Sequence, residues 1–183
     1  MIIGLTGSFG AGKGAVANYL VKQKNFAHLS ARDFIIKEIE KRGLPINRDS
    51  MAEVANDLRQ TNGPTYIFEQ LVTAAKELGG DVVVESVRAV AEADFIKEQG
   101  GFIIGVDADP KVRYKRIVKR GSETDHISFT DWREQEIKES NPDDPTKQDI
   151  YGALKKSDVV LLNQSTLPNL YKKVDEFLAK HQS

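Results

Sequence analysis

A glycine-rich stretch near the N-terminus constrains the fold of this chain more than any other feature. It reads Gly-Ser-Phe-Gly-Ala-Gly-Lys-Gly over residues 7–14 and follows the apolar run 2–6. A helical pattern begins directly after it, with Val16, Tyr19 and Leu20 on one face. A strand, a glycine-rich turn and a helix, with a lysine at the end of the turn, are the context that a phosphate-binding loop requires.

This loop predicts a site for the phosphates of a nucleotide. Backbone N–H groups of the loop and of the following helix N-terminus converge on phosphate oxygens, and glycine lets the main chain approach them closely. Lys13 would add a positive charge at the β and γ phosphates. The predicted nucleotide-binding residues are Gly7, Ser8, Phe9, Gly10, Ala11, Gly12, Lys13, Gly14 and Ala15.

The end of the loop departs from the usual pattern. The lysine is normally followed by Ser or Thr, whose hydroxyl coordinates Mg²⁺, whereas Gly14 and Ala15 follow Lys13 here. A metal ion would therefore be held through water, carboxylates and the nucleotide itself. The alternative is a glycine-rich turn without a ligand, which the spacing, the lysine and the flanking elements together disfavour.

The composition is that of an ordinary globular protein and argues against several kinds of partner. The chain has 183 residues, 40% of them apolar, so we expect a single domain over 1–183 with a sizeable core. A net charge of −1 predicts attraction neither to nucleic acid nor to an anionic membrane. The absence of cysteine excludes disulfides and thiolate metal sites. No membrane-length apolar run and no signal-peptide pattern occur, so we expect a cytoplasmic location.

Strand-like apolar runs alternate with amphipathic helical runs along the chain. This is the pattern of an α/β protein with a parallel sheet, and we expect the three-layer α/β/α fold of phosphate-loop proteins with five strands. The predicted strands are residues 2–6, 26–29, 82–85, 102–107 and 158–162. Residues 43–79 read as a helical pair, part of a helical insert over about 30–79.

Polar side chains follow the second and third predicted strands, where ligands bind in open α/β sheets. Ser30 and Asp33 come after the second strand, and Glu85 and Arg88 end the third. Helix capping is the alternative role for Ser30 and Asp33, and an ordinary strand-end charge is the alternative for the other two. His28 is interpreted as a strand residue rather than a catalytic base.

A basic helix follows the fourth predicted strand and leads into a polar stretch. Arg116 and Arg120 lie four residues apart on this helix, and Arg133 lies in a short helical piece within residues 121–147. We expect residues 121–147 to form a lid that excludes water from the phosphates. A solvated helix face followed by a surface excursion is the alternative.

Taken together, these motifs resemble the nucleoside monophosphate kinases, which include the adenylate kinases, and the dephospho-coenzyme A kinases. Gly12-Lys13-Gly14 is similar to the adenylate kinase loop, which carries a Thr where Ala15 stands here. The turn that bears Asp33 resembles both families. The final strand and helix, residues 158–178, resemble the dephospho-coenzyme A kinases more closely.

The resemblance implies an ATP- and Mg²⁺-dependent kinase for a small-molecule phosphate acceptor, and it implies that the helical insert over about 30–79 binds that acceptor. Arginines suit such a site because guanidinium groups pair with phosphate and with the charge that spreads over the transferring group. The implied catalytic residues are Lys13, Asp33, Arg116, Arg120 and Arg133. The implied substrate-binding residues are Ser30, Arg48, Arg59, Glu85 and Arg88. Asp33 and Glu85 are implied to hold the metal ion through water.

Several functions remain open at this point. The main interpretation is phosphorylation of a nucleoside monophosphate. In a dephospho-coenzyme A kinase the acceptor is a ribose hydroxyl, which needs a general base, and Asp33 would take that role. A nucleotide-dependent switch is a second class, although the guanine-reading sequence Asn-Lys-x-Asp does not occur. A nucleotide binder without catalysis is a third class, because the loop lacks its usual hydroxyl. The sequence leaves the oligomeric state open.

Overall fold

The computed structural model describes residues 1–120, 128–138, 140, 143–144 and 146–181, without the side chains of Arg48, Arg120, Gln135 and Lys138. The start of the predicted lid therefore lies outside the described residues. The strands are β1 Ile2–Gly7, β2 Ala27–Ser30, β3 Val82–Val87, β4 Phe102–Asp107 and β5 Val159–Leu162. The helices are α1 Lys13–Lys24, α2 Ala31–Lys41, α3 Arg48–Asn62, α4 Tyr66–Leu78, α5 Val90–Glu98, α6 Pro110–Arg120, α7 Phe129–Lys138, α8 Ile150–Lys155 and α9 Leu167–His181.

The five strands form one parallel sheet in the order β2-β3-β1-β4-β5. This confirms the predicted five-stranded parallel sheet, and each strand begins and ends within two residues of its prediction. The central strand β1 pairs Ile2 with Val82 on one side and Ile3 with Phe102 on the other. The loop that follows β1 therefore emerges from the middle of the sheet.

Helices cover both faces of the sheet because its strands are apolar on both sides. On one face, α1 and α9 bury Leu20 and Phe177 against Ile104. On the other face, α2 to α5 bury a second cluster that includes Ile39 and Phe68. The predicted helical pair between β2 and β3 is present as α3 and α4. Among the described residues, no helix combines the length and the apolarity that crossing a membrane requires.

A bulge interrupts β3 at its carboxyl end. The pairing with β1 skips from Glu85 to Val87, so Ser86 is an extra residue in this strand. Ser86 has a φ of 76°, in the left-handed region that non-glycine residues rarely adopt. Bulges bend a strand and change the direction of its side chains. The bulge thus sets how Glu85 and Arg88 leave the sheet.

Candidate active site

The glycine-rich loop joins β1 to α1, and its backbone is one that only glycine accommodates. Gly7 has a φ of 138° and Gly12 a φ of 108°. A Cβ atom on Gly7 would lie 2.0 Å from the carbonyl oxygen of Val106, and one on Gly12 would lie 2.3 Å from Nδ2 of Asn163. The loop therefore packs tightly against the ends of β4 and β5, with no room for side chains at these two positions.

Lys13 begins α1 and folds back over the loop. Its Nζ donates hydrogen bonds to the carbonyl oxygens of Gly7, at 2.6 Å, and Ser8, at 3.1 Å. Burial, and then the nearby positive charge of Arg88, lower the pKa of Lys13 from 10.5 to about 8. The charged form of this ammonium group is therefore disfavoured in the site, and the negative charge of bound phosphate would favour it.

The first turn of α1 is open towards solvent. Gly14 is exposed, and no heavy atom of the described residues lies within 4 Å of where its Cβ would stand. Residues 13–16 contain no acidic side chain that would repel an anion at the helix N-terminus. In the loop itself, the buried hydroxyl of Ser8 has no hydrogen-bond partner among the described residues. These features suit a loop that binds phosphate.

Two carboxylates flank the loop, one on each neighbouring strand. Glu85 lies on β3, and Asp107 ends β4. The negative charges of both act to raise the pKa of Lys13, against the larger effect of burial. Sequence reasoning found Glu85 and missed Asp107, although Asp107 also ends a strand next to β1. His28 lies on β2 as expected, and its Nε2 is 3.1 Å from Oε2 of Glu85, a contact the sequence did not predict.

The carboxylates do not gather into a metal centre of their own. Within the described part of the chain, no group of three or more Asp, Glu, His or Cys side chains could hold a metal ion. Metal ions of the Mg²⁺ type commonly take one or two carboxylates together with water and phosphate oxygens. The arrangement around Glu85 fits that mode, in which the nucleotide supplies part of the coordination.

The turn after β2 carries two of the predicted site residues, Ser30, which caps a helix, and Asp33, which is exposed to solvent. Ser30 caps α2, and its Oγ accepts the N–H of Asp33 at 3.3 Å. The structure thus supports the capping alternative for Ser30. The side chain of Asp33 is exposed in the first turn of α2. Ser30 pairs with Glu85 in the sheet, so this turn and the end of β3 lie at the same edge.

Arg59 is buried, whereas the sequence predicted an arginine that binds the phosphate acceptor. Its side chain is 3% exposed, and its Nε and Nη2 donate to Oε1 of Glu92 at 3.0 and 2.8 Å. The expectation of an arginine free to meet an acceptor phosphate is corrected accordingly, since a buried carboxylate occupies this guanidinium. Its Nη1 is buried without a hydrogen-bond partner among the described residues. The side chain of Arg48, the other candidate in this insert, lies outside the described part.

Arg88 lies beside the phosphate loop. Its guanidinium is 5.2 Å from the ring centroid of Phe9, and its Nη1 donates to Oε1 of Gln148 at 3.2 Å. Its backbone N–H donates to Oε2 of Glu92 at 2.8 Å, which fixes the main chain at this point. The structure therefore brings Arg88 close to Lys13 and the loop.

Arg116 and Asn163 hold the other side of the loop. Nη1 of Arg116 donates to the carbonyl oxygen of Ala11 at 3.3 Å, and its Nη2 donates to the carbonyl oxygen of Asn163 at 2.9 Å. Nδ2 of Asn163 also donates to Ala11, at 2.8 Å. Sequence reasoning missed Asn163; its position directly after β5 was the available signal. The side chain of Arg120, the second arginine predicted on α6, lies outside the described part.

Arg133 lies on α7 and is held by that helix. Its Nη1 donates to Oε2 of Glu136 and lies 3.4 Å from the hydroxyl of Tyr151. Arg113, which sequence reasoning left out of the site, donates to the carbonyl oxygen of Phe9 at 3.2 Å and to Glu136. A buried pairing of this kind has no sequence signature, because both residues read as ordinary solvated helix charges.

The comparisons with known proteins agree with this architecture. The model of the AAA domain family matches residues 3–140. A UPF0200 protein of Pyrococcus horikoshii is 29% identical over 189 residues, which cover 98% of this chain and 97% of the relative. A UPF0200 protein of Methanosarcina barkeri is 30% identical over 184 residues, which cover 98% and 95%.

Solved structures show the same fold at low sequence identity. TT1252 from Thermus thermophilus superposes with a TM-score of 0.65 at 19% identity, covering 99% of this chain and 97% of that one. A shikimate kinase from Bacteroides thetaiotaomicron superposes with a TM-score of 0.59 at 14% identity, covering 98% of each chain. The fold is thus that of the phosphate-loop kinases.

Proposed function

This chain belongs to the AAA domain family and to the UPF0200 proteins, and we propose that it binds ATP with Mg²⁺ and transfers the terminal phosphoryl group to a small molecule. The observation that supports the proposal most is the state of Lys13. Its pKa of about 8 reflects a buried ammonium group at the end of a glycine-rich loop, and nucleotide phosphate would neutralise it. The fold shared with a shikimate kinase is consistent with this function.

In the proposed reaction, the loop and Lys13 hold the phosphates of the donor. Phosphoryl transfer depends mainly on positioning and on stabilising negative charge, since the protein contributes little covalent chemistry. Arg88 and Arg116 bracket the loop and would contribute that stabilisation, together with Arg120 and Arg133. Glu85 and Asp33 would hold Mg²⁺ through its water ligands, and the ion would screen the charge on the phosphates.

The first candidate acceptor is a nucleoside monophosphate. Arg88 supports it, because its guanidinium lies beside the loop and guanidinium pairs well with phosphate. Its backbone is linked to the helical insert formed by α3 and α4 through Glu92, which also accepts hydrogen bonds from Arg59 of α3. Ser30 and Arg48 complete the proposed acceptor side, from which the buried pairing of Arg59 with Glu92 withdraws the third predicted residue. The engagement of Arg59 by Glu92 leaves Arg88 as its main described positive charge.

The second candidate acceptor is a hydroxyl group, as in dephospho-coenzyme A. A specific observation favours it: the buried ion pair of Arg59 reduces the charge available to a phosphate acceptor. A hydroxyl acceptor instead needs a base, and the exposed carboxylate of Asp33 lies at the same sheet edge as Glu85. Asp33 would then accept the proton of the attacking hydroxyl.

The test measures ADP release from ATP and Mg²⁺ with a panel of acceptors. The panel contains the common ribonucleoside and deoxyribonucleoside monophosphates and dephospho-coenzyme A, and Lys13→Met serves as the control. Turnover with a monophosphate that Lys13→Met abolishes would support the first candidate. Turnover with dephospho-coenzyme A alone, lost in Asp33→Asn, would support the second.

Two other results would refute the proposal. ADP release that no acceptor stimulates would indicate a nucleotide-dependent switch. No release at all, with ATP still raising the melting temperature, would indicate a protein that binds nucleotide without catalysis.

A further inference from the structure

A buried arginine outside the proposed chemistry connects the phosphate loop to α7. Arg113 lies on α6 and its side chain is 3% exposed. Its Nε donates to the carbonyl oxygen of Ala108 at 2.9 Å, and its Nη1 donates to the carbonyl oxygen of Phe9 at 3.2 Å. A guanidinium that is buried in this way requires a negative partner, since an unpaired buried charge is strongly unfavourable.

Oδ1 of the partly exposed Asp107 lies 3.5 Å from Nε of Arg113. The buried partner is Glu136 of α7. Nη1 of Arg113 donates to its Oε1, and Nη2 donates to its Oε2 at 3.1 Å. The same Oε2 accepts Nη1 of Arg133. One carboxylate therefore joins an arginine that contacts the phosphate loop to an arginine proposed for the transferring phosphoryl group.

The indole of Trp132 lies beside both arginines. We call the group formed by Arg113, Trp132, Arg133 and Glu136 the junction between α6 and α7. Its ring centroid lies 5.0 Å from the guanidinium carbon of Arg113 and 6.0 Å from that of Arg133. Tyr114 and Phe129 pack around it, each with its ring centroid 5.8 Å from that of Trp132. Trp132 is 5% exposed and is the only tryptophan of the chain. Its fluorescence therefore reports on the packing between α6 and α7.

We propose that Glu136 is a positioning residue for phosphoryl transfer, which Arg113 holds in place and which in turn fixes Arg133 relative to the phosphate loop. The inference rests on the proposed function. A buried ion pair adds little net stability compared with an apolar pair of similar volume, but its bidentate geometry fixes orientation. Arg133 has a side chain 32% exposed, so it is anchored at one nitrogen and open to solvent elsewhere.

The test compares Glu136→Gln with a matched control on the same helix, Glu134→Gln, whose side chain is exposed. Loss of the charge at position 136 leaves Arg113 without its buried partner and releases Arg133. We expect kcat to fall by up to about 100-fold, the loss that a displacement of about 1 Å can cause, with a much smaller change in KM for ATP. Trp132 should become more accessible to acrylamide, whereas Glu134→Gln should match the wild type in both measurements.

The kcat values of the two glutamate variants decide whether Glu136 positions Arg133 for phosphoryl transfer. Equal kcat values for Glu136→Gln and Glu134→Gln would overturn the proposal, even if Trp132 became more accessible, because the ion pair would then be structural only. Where Glu136→Gln does not fold, Arg113→Lys keeps the charge but loses the bidentate bond, and the same fall in kcat is expected.

A readout without turnover separates this inference from the proposed function. If the wild type transfers phosphate to no acceptor, the proposed function fails, and nucleotide titrations followed by Trp132 fluorescence still test the junction. ADP should then change the fluorescence of the wild type and of Glu134→Gln but not of Glu136→Gln. An identical response in all three proteins would overturn the inference.

Discussion

The lowered pKa of Lys13 predicts a specific dependence of stability on pH. In the folded protein this pKa is about 8, whereas an exposed lysine in the unfolded chain keeps its ordinary value of 10.5. Below pH 8 the ammonium group is charged in both states, and the folded state carries the full cost of burying it. As the pH rises from 8 to 10.5 the folded state releases the proton first, so the unfolded state binds more protons and the free energy of unfolding increases.

The size of the effect follows from the two pKa values. Each pH unit between them contributes at most about 1.4 kcal/mol, so the full window amounts to about 3 kcal/mol. Denaturant unfolding of the wild type and of Lys13→Met is compared across this window. Tyrosines and other groups that titrate in the same range affect both proteins alike. The difference in unfolding free energy, wild type minus variant, should therefore rise by up to about 3 kcal/mol.

Nucleotide binding should remove the dependence of stability on pH that comes from Lys13. Phosphate oxygens beside Lys13 favour its charged form and raise its pKa, so ADP binding should take up a proton between pH 8 and pH 10.5. Calorimetry in buffers of different ionisation enthalpy measures that uptake, and Lys13→Met should show none of it. Parallel stability curves for the two proteins, or nucleotide binding without proton uptake, would refute the lowered pKa of Lys13 in the nucleotide-free protein.

The remaining predictions concern the loop and the helical insert. Gly12→Ala should lower the unfolding free energy by about 2 kcal/mol or more, because its φ is 108° and the new Cβ meets Asn163, whereas Gly14→Ala should be neutral or stabilise by up to about 1 kcal/mol. Equal melting temperatures for these two variants would contradict the loop geometry. Arg59→Met should destabilise by about 3–5 kcal/mol, because it leaves Glu92 buried without a cation. The added substitution Glu92→Gln should recover part of that loss, and a loss below about 1 kcal/mol in the single variant would show that the pair is not buried in solution.

The fold could be predicted from local sequence patterns, because each strand and most of the helices have a characteristic spacing of apolar residues. The runs 82–85 and 102–107 are apolar enough to indicate strands covered on both faces, and the structure places them on either side of β1. The phosphate loop was predictable for the same reason, since its glycines and lysine are contiguous in sequence. Helix α8 was not predicted, because Ile150–Lys155 is only six residues long and has no distinct periodicity.

Pairings between distant residues account for what the sequence did not reveal. Glu92 reads as a solvated helix charge, yet it is completely buried and removes Arg59 from the open surface. Asn163 acts on the loop from 152 residues away, through the carbonyl oxygen of Ala11. Backbone carbonyls accept hydrogen bonds whatever their side chain, so such contacts leave no motif.

The central place of β1 also determines when the phosphate loop can form during folding. In the described sheet β1 lies between β3 and β4, whose residues lie about 80 and 100 positions further along the chain. Closing such long loops is entropically unfavourable and slows folding relative to local helix formation. We therefore expect the helices to acquire structure first and β1 to join its neighbours late. Nucleotide would then bind only after this step, so it would slow unfolding without accelerating the search for the native sheet.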